Sequence, residues 1–247
     1  MSKLRTLSLF AGIGAFDLGL ERTGGFETVA FCEIDPFARA VLKKHWPEVP
    51  CYDDVRTLTG DRLHADGIFP NAICGGFPCQ DVSYAGPGGG LAGERSGLWF
   101  EFARLIRELG PEYVIVENVA ALLDRGMGDV LGTLSDIGYD AEWSVVSGCA
   151  LGAPHMRRRV FIVAYPHGKH GRTGIWHSDA RRDGPIQVID RLESARSGVR
   201  TRLANPSALY RDADGVAFRM DRNHAIGNSF YWPVAEAIGR AIMSAPA

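Results

Sequence analysis

No two of the five cysteines, Cys32, Cys51, Cys74, Cys79 and Cys149, stand at CxxC spacing. Structural zinc sites are normally built on such pairs, so none is expected. The odd number argues against a disulfide framework. Free thiols in a reducing compartment fit best, and one of them can be reactive. No apolar run approaches the ~18 residues of a membrane-spanning helix. Met1 to Arg5 carry no apolar signal-peptide core, so a cytoplasmic protein is expected. A strong net charge is also missing. The 27 Lys and Arg nearly balance the 29 Asp and Glu, leaving −2, which does not announce a nucleic-acid binder. There is no internal repeat.

What the chain does have is an ordinary globular composition, 46% hydrophobic and 23% charged over 247 residues. That length fits one α/β domain, or one domain with a small lobe. Roughly three quarters of the unfolded surface can then be buried. The charge is unevenly spread. Residues 1–165 hold 15 Lys and Arg against 21 Asp and Glu, whereas residues 166–222 hold 11 against 7. The basic segment is either a solvated loop region or a surface for a polyanion.

Strand-like and helix-like stretches alternate through the first 165 residues. Strands are predicted at 7–10, 28–32, 71–74, 113–116 and 160–164. Helices are predicted at 17–22, 36–45, 98–109 and 130–137. This alternation implies an α/β fold with a mostly parallel, Rossmann-like sheet and crossover helices. Residues 166–222 break the pattern with Gly, Pro, Arg and His and little periodicity, which predicts a loop-rich lobe. A turn at Gly227-Asn228 then leads to a helix over 233–242. The expected division is a catalytic and cofactor domain over 1–165, a small target-recognition region over 166–222, and a segment over 223–247 that returns to the first domain.

Several strand ends carry chemistry. Phe10-Ala11-Gly12-Ile13-Gly14 joins the first strand to the first helix, and its glycines let backbone approach a ligand. By itself this is either a structural turn or a cofactor site. Glu33 closes the next strand, where a carboxylate can accept from ribose hydroxyls. Asp54 follows a third strand end and can accept from an adenine amino group, or be a solvated turn residue. Gly75-Gly76-Phe77-Pro78-Cys79-Gln80 holds one thiol at a sharp turn on the sheet rim. A thiolate there can act as a nucleophile. The other four cysteines read as small buried hydrophobes. Glu117-Asn118-Val119 ends an apolar strand, and a carboxylate at such a tip is costly unless solvated or engaged. With a raised pKa it can donate a proton near neutrality. Arg157, Arg158 and Arg159 are either a basic turn, or an alternation that points Arg157 and Arg159 into the same site.

Taken together, these motifs resemble the DNA cytosine-5 methyltransferase family of bacterial and phage type, over residues 7–164 and 223–242 in the family's order. The resemblance implies a class I S-adenosylmethionine-dependent methyltransferase, acting through a covalent Cys79 adduct on a cytosine flipped from duplex DNA. The cofactor would become S-adenosylhomocysteine, and no metal is implied. Catalytic roles are implied for Cys79, Pro78, Glu117, Asn118, Arg157 and Arg159. Glu117 would protonate ring nitrogen 3, Asn118 and backbone near Pro78 would hold the exocyclic amine, and Arg159 the carbonyl oxygen. Cofactor contacts are implied for Phe10, Gly12, Gly14, Glu33, Ile34, Asp54, Val55, Leu98, Asn228 and Ser229. DNA contacts are expected from Gln80, Ser83 and Arg95 on a glycine-rich loop that closes over the base, and from Arg181, Arg182, Arg200 and Arg202. A monomer in the cytoplasm, nucleoid-associated or phage-encoded, is the family default, with restriction-modification as one setting. Ala15 and His155 depart from the family's usual Gly and Gln. Members that act on transfer RNA carry a second Pro before Pro-Cys and a Cys-Phe-Thr motif. Here Phe77 precedes Pro78 and Cys-Phe-Thr is absent, so the resemblance implies DNA.

Overall fold

The computed structural model describes residues 2–78, 97–151, 158–168 and 231–244. Its centre is set by short apolar runs. In Tyr113–Val119, Val114 and Val116 enter one core cluster and Ile115 the other, all fully buried. Only a strand covered on both faces shows this pattern. The same holds for Ala72–Gly75, where Ile73 faces one cluster and Ala72 and Cys74 the other.

Seven strands follow in chain order: β1 (Leu4–Leu9), β2 (Phe26–Cys32), β3 (Cys51–Tyr52), β4 (Ala72–Gly75), β5 (Tyr113–Val119), β6 (Tyr139–Ser147) and β7 (Arg158–Pro166). They form one sheet in the order β3-β2-β1-β4-β5-β7-β6. The first five pair in parallel. β7 runs antiparallel to both β5 and β6. The mostly parallel α/β sheet expected from the sequence is what forms.

The helices are α1 (Ala15–Glu21), α2 (Pro36–His45), α3 (Gly60–Ala65), α4 (Leu98–Leu109), α5 (Leu122–Arg125), α6 (Met127–Asp136) and α7 (Trp232–Met243). α4 and α2 have the predicted bounds. Asp35 caps α2 by accepting from the Phe37 and Ala38 N–H groups, and Pro36 fits the first turn, where its missing N–H costs nothing. α3, α4 and α6 cover one face of the sheet through Leu63, Trp99, Phe102, Leu105, Val130 and Leu134. α1 and α7 cover the other through Phe16, Leu20, Val234, Ala235 and Ile238. At Gly19 a Cβ would collide with the Trp232 carbonyl, so α7 lies directly on α1.

Some expectations shift. α3, α5 and β6 fall where the sequence pattern predicts no element. β3, whose end is expected before Asp53-Asp54, is only two residues long. β6 is an edge strand whose exposed Asp140 and Trp143 blur the alternation. β5 runs on to Val119, so Glu117 lies within the ladder opposite Phe161 rather than beyond the strand.

One acid sits in the apolar layer. Asp17, fully buried at the start of α1, accepts from Ser8 Oγ of β1 at 3.0 Å and Thr28 Oγ1 of β2 at 3.3 Å. Burial is the main cause that pushes its carboxyl up to about 7, against the lowering effect of these hydroxyls.

Candidate active site

Parallel pairing puts the carboxyl ends of β1 to β5 on one edge. The strand order reverses at β1, whose neighbours are β2 and β4. Ligands of open α/β sheets bind at such a switch point, outside the carboxyl ends. Because β7 is antiparallel, its first residues come to the same edge, with Arg159 opposite Val119.

On the β1–β3 side the glycine turn and Glu33 are joined. Glu33 Oε2 accepts from the Gly12 N–H at 2.7 Å and Oε1 from the Asp35 N–H at 2.8 Å. A carboxylate has about four acceptor positions, so each oxygen keeps capacity for a hydroxyl. Gly12 is left-handed, φ 55°, with open space where a Cβ would stand. Phe10 before it is the one non-glycine residue with positive φ among the described residues, at 53°, and its ring stacks on Phe102. Such strain persists where the surroundings fix it, often at ligand sites. Gly14 is different. Its φ is 82°, and a Cβ would stand 2.6 Å from the Trp46 ring. A side chain at Gly14 is thus excluded by packing as well as by its φ. Ala15 already lies in α1 and has no positive φ, so the family's extra glycine is not needed there.

Ile34 is 65% exposed beside Glu33, an apolar surface fit for a planar ring. Asp54 carries a bidentate pair with Arg56, Oδ2 to Nη2 at 2.7 Å. Hydrogen bonds from the Arg56 side chain and backbone hold its carboxyl below the usual range. Nothing in the sequence signalled Arg56. Val55 is buried in the core. Leu98 opens α4 and is half-buried against the same core.

On the β4–β5–β7 side the turn after β4 passes close to Glu117. Gly75 lies against the Leu9 carbonyl, and a Cβ on Gly76 would stand 2.6 Å from Glu117 Oε2. Glu117 Oε1 pairs with Arg159 Nε at 2.7 Å, and both side chains are mostly buried. Phe77 is buried against Trp99, with ring centroids 5.3 Å apart. Asn118 is buried. Its Nδ2 donates to the Phe77 carbonyl at 3.1 Å, while Oδ1 accepts from the Val119 N–H at 2.8 Å. Each amide atom makes one bond here and keeps one further hydrogen-bonding position. The Nδ2 bond fixes the backbone that leads to Pro78.

Cys79, Gln80, Ser83, Arg95, Arg157, Arg181, Arg182, Arg200, Arg202, Asn228 and Ser229 lie outside the described residues, as does most of 166–222. Among the described residues no group of three or more His, Cys, Asp or Glu is arranged to hold a metal. None of the described helices is long and apolar enough to cross a membrane.

A family model described as C-5 cytosine-specific DNA methylase matches residues 4–199. The chain belongs to this family. The type II methyltransferase M2.BsuMI of Bacillus subtilis is 35% identical over 197 residues, covering 76% of this chain and 49% of that protein. M.Eco47II of Escherichia coli is 38% identical over 167 residues, covering 64% and 38%. The orphan methyltransferase M.SPRI of Bacillus phage SPR is 32% identical over 170 residues, covering 66% and 38%. The chain thus spans about half the length, or less, of these relatives. Among solved structures, a prophage-encoded candidate DNA modification methyltransferase of E. coli superposes with TM-score 0.57 at 26% identity, covering 66% of this chain and 47% of that one. A Schizosaccharomyces pombe Dnmt2 methyltransferase shares the fold, with TM-score 0.55 at 21% identity, covering 67% and 50%.

Proposed function

We propose that this protein transfers a methyl group from S-adenosylmethionine to carbon 5 of cytosine in a short double-stranded DNA sequence. The observation that carries the reading is the convergence at one sheet edge. The turn leading to Cys79 runs against the Glu117 carboxylate, and Arg159 from an antiparallel strand pairs with that carboxylate at 2.7 Å.

The β1–β3 residues fit an adenosine ligand. Glu33 keeps acceptor capacity for two ribose hydroxyls, Gly12 leaves room above its backbone, and Ile34 offers an apolar face. Asp54 would accept from the adenine amino group, and Phe10 and Leu98 would close the pocket. When bound, the cofactor supplies an electrophilic methyl on a sulfonium.

Cytosine carbon 5 is a poor nucleophile. Attack by the Cys79 thiolate on carbon 6, with proton delivery to ring nitrogen 3 by Glu117, makes carbon 5 enamine-like. After methylation, loss of the carbon 5 proton expels the thiolate. Arg159 holds one oxygen of Glu117 and so sets the direction of the other. Asn118 holds the turn through the Phe77 carbonyl. The target atoms lie within the base stack, so the cytosine must leave the duplex, at a cost of a few kcal/mol. Gln80, Ser83 and Arg95 belong to the loop proposed to close over it. Arg157 is a proposed catalytic residue alongside Arg159, and the arginines at 181, 182, 200 and 202 are proposed DNA contacts. Residues 166–222 are the proposed target-recognition region, and Asn228 and Ser229 the proposed return to the cofactor. A cytoplasmic monomer follows the same reading.

The test is methyl transfer from labelled S-adenosylmethionine to genomic DNA, followed by base-resolution bisulfite sequencing. Methylated carbon 5 within a fixed motif is expected. Cys79→Ser should abolish transfer while cofactor binding stays near normal, and Glu117→Gln should lose much of the rate with DNA binding kept. A Cys79→Ser protein that methylates at the unaltered rate overturns the mechanism.

A further inference from the structure

We infer that Arg104 is a positioning residue for the adenine end of the cofactor pocket, acting by fixing the turn that carries Asp54. This rests on the proposal that Asp54 receives the adenine amino group. Arg104 lies mid-way along α4, the helix that Leu98 opens. Its Nη2 donates to two carbonyls of one turn, Val55 O and Leu58 O, each at 2.9 Å. Nε donates to Glu101 Oε2 at 2.8 Å and Nη1 to Glu108 Oε1 at 2.8 Å. The acids stand three residues before and four after, so both sit on the same helix face. They clamp the guanidinium from either side and aim its fork at the turn. Glu108 adds a third tie, because its Oε2 accepts from the Gly60 N–H at 2.7 Å.

The result is a rigid joint. Residues 54–60 are held to α4 at three backbone points, two by Arg104 and one by Glu108. Within the turn, the Thr57 and Leu58 N–H groups close on the Asp54 carbonyl at 3.1 Å each. Val55 and Leu58 point into the core beneath. Asp54 therefore has a fixed place relative to Leu98 on the same helix. A lysine lacks the planar fork and cannot meet two carbonyls and two carboxylates together. Among the described residues the hydrogen bonds of Arg104 go to Glu101, Glu108, Val55 and Leu58 and not to Glu117 or 75–78, so its influence should fall on cofactor affinity and not on the chemical step.

The experiment measures calorimetric binding of S-adenosylhomocysteine, and of its analogue lacking the adenine amino group, to the full chain. It is run on the unaltered protein, Arg104→Gln and Asp54→Asn, with steady-state kinetics alongside. Arg104→Gln should weaken S-adenosylhomocysteine about tenfold, with the analogue weakened about twofold at most, raising KM for the cofactor while kcat at saturation holds. Arg240→Gln, on the far surface pair with Glu236, should change neither. Equal loss for both ligands, a fall in kcat without a rise in KM, or no change overturns the proposal alone. An unaltered protein that does not distinguish the two ligands, or an Asp54→Asn that binds both normally, overturns the adenine reading and the proposal with it. If Arg104→Gln does not fold by circular dichroism, Arg104→Lys carries the test and should lose discrimination in the same direction.

Discussion

Replacing Asp17 with asparagine gives a stability change whose sign depends on pH. The carboxyl is fully buried and pushed up to about 7 from 3.8, chiefly by burial. The folded state therefore binds its proton more tightly than the unfolded state. Its stabilising contribution is complete below the unfolded value and is lost as pH rises through the folded one. The rise from 3.8 to about 7 corresponds to about 4 kcal/mol, at about 1.4 kcal/mol for each tenfold change in proton affinity. Of this, about 2.5 kcal/mol falls between about pH 5 and pH 8. Asparagine has nearly the same shape, cannot ionise, and can still pair with the Ser8 and Thr28 hydroxyls after these rotate. The stability of Asp17→Asn relative to the unaltered protein should thus rise by about 2–3 kcal/mol over that window. Urea unfolding of both proteins at matched pH measures the difference, in which the other titrating groups cancel. A difference that is flat with pH, or that falls as pH rises, refutes the reasoning.

Two further outcomes follow from glycines that neighbours crowd. Gly76→Ala places a Cβ 2.6 Å from Glu117 Oε2. Methyl transfer should drop about a hundredfold, as a misplacement of the reacting groups of this order does, with S-adenosylhomocysteine affinity unchanged; single-turnover kinetics and calorimetry check it. Gly19→Ala drives α1 away from the Trp232 carbonyl of α7. A loss of about 1–3 kcal/mol is expected from overpacking, read in a urea melt, and a variant as stable as the parent would show that α7 does not seat on α1.

The chain's own residues determined a good deal here. Apolar runs and glycine turns announced five of the strands and the α4 and α2 boundaries, because those signals are local. Strand ends bearing Glu33, Asp54, Glu117 and the Gly75-Gly76 turn were legible as one chemical edge, since parallel strands joined by crossover helices must share it. What tertiary structure alone decided are pairings between residues far apart in the chain. The antiparallel seating of β7 brings Arg159 to Glu117, and no periodicity shows direction in a sheet. Asn118 meets the Phe77 carbonyl 41 residues away and so supports the turn. Gly14 answers to Trp46, and Arg104 to carbonyls more than 40 residues before it. Pattern reading sees which face a residue takes and which turn it permits. Which partner waits there is fixed only when the layers close on each other.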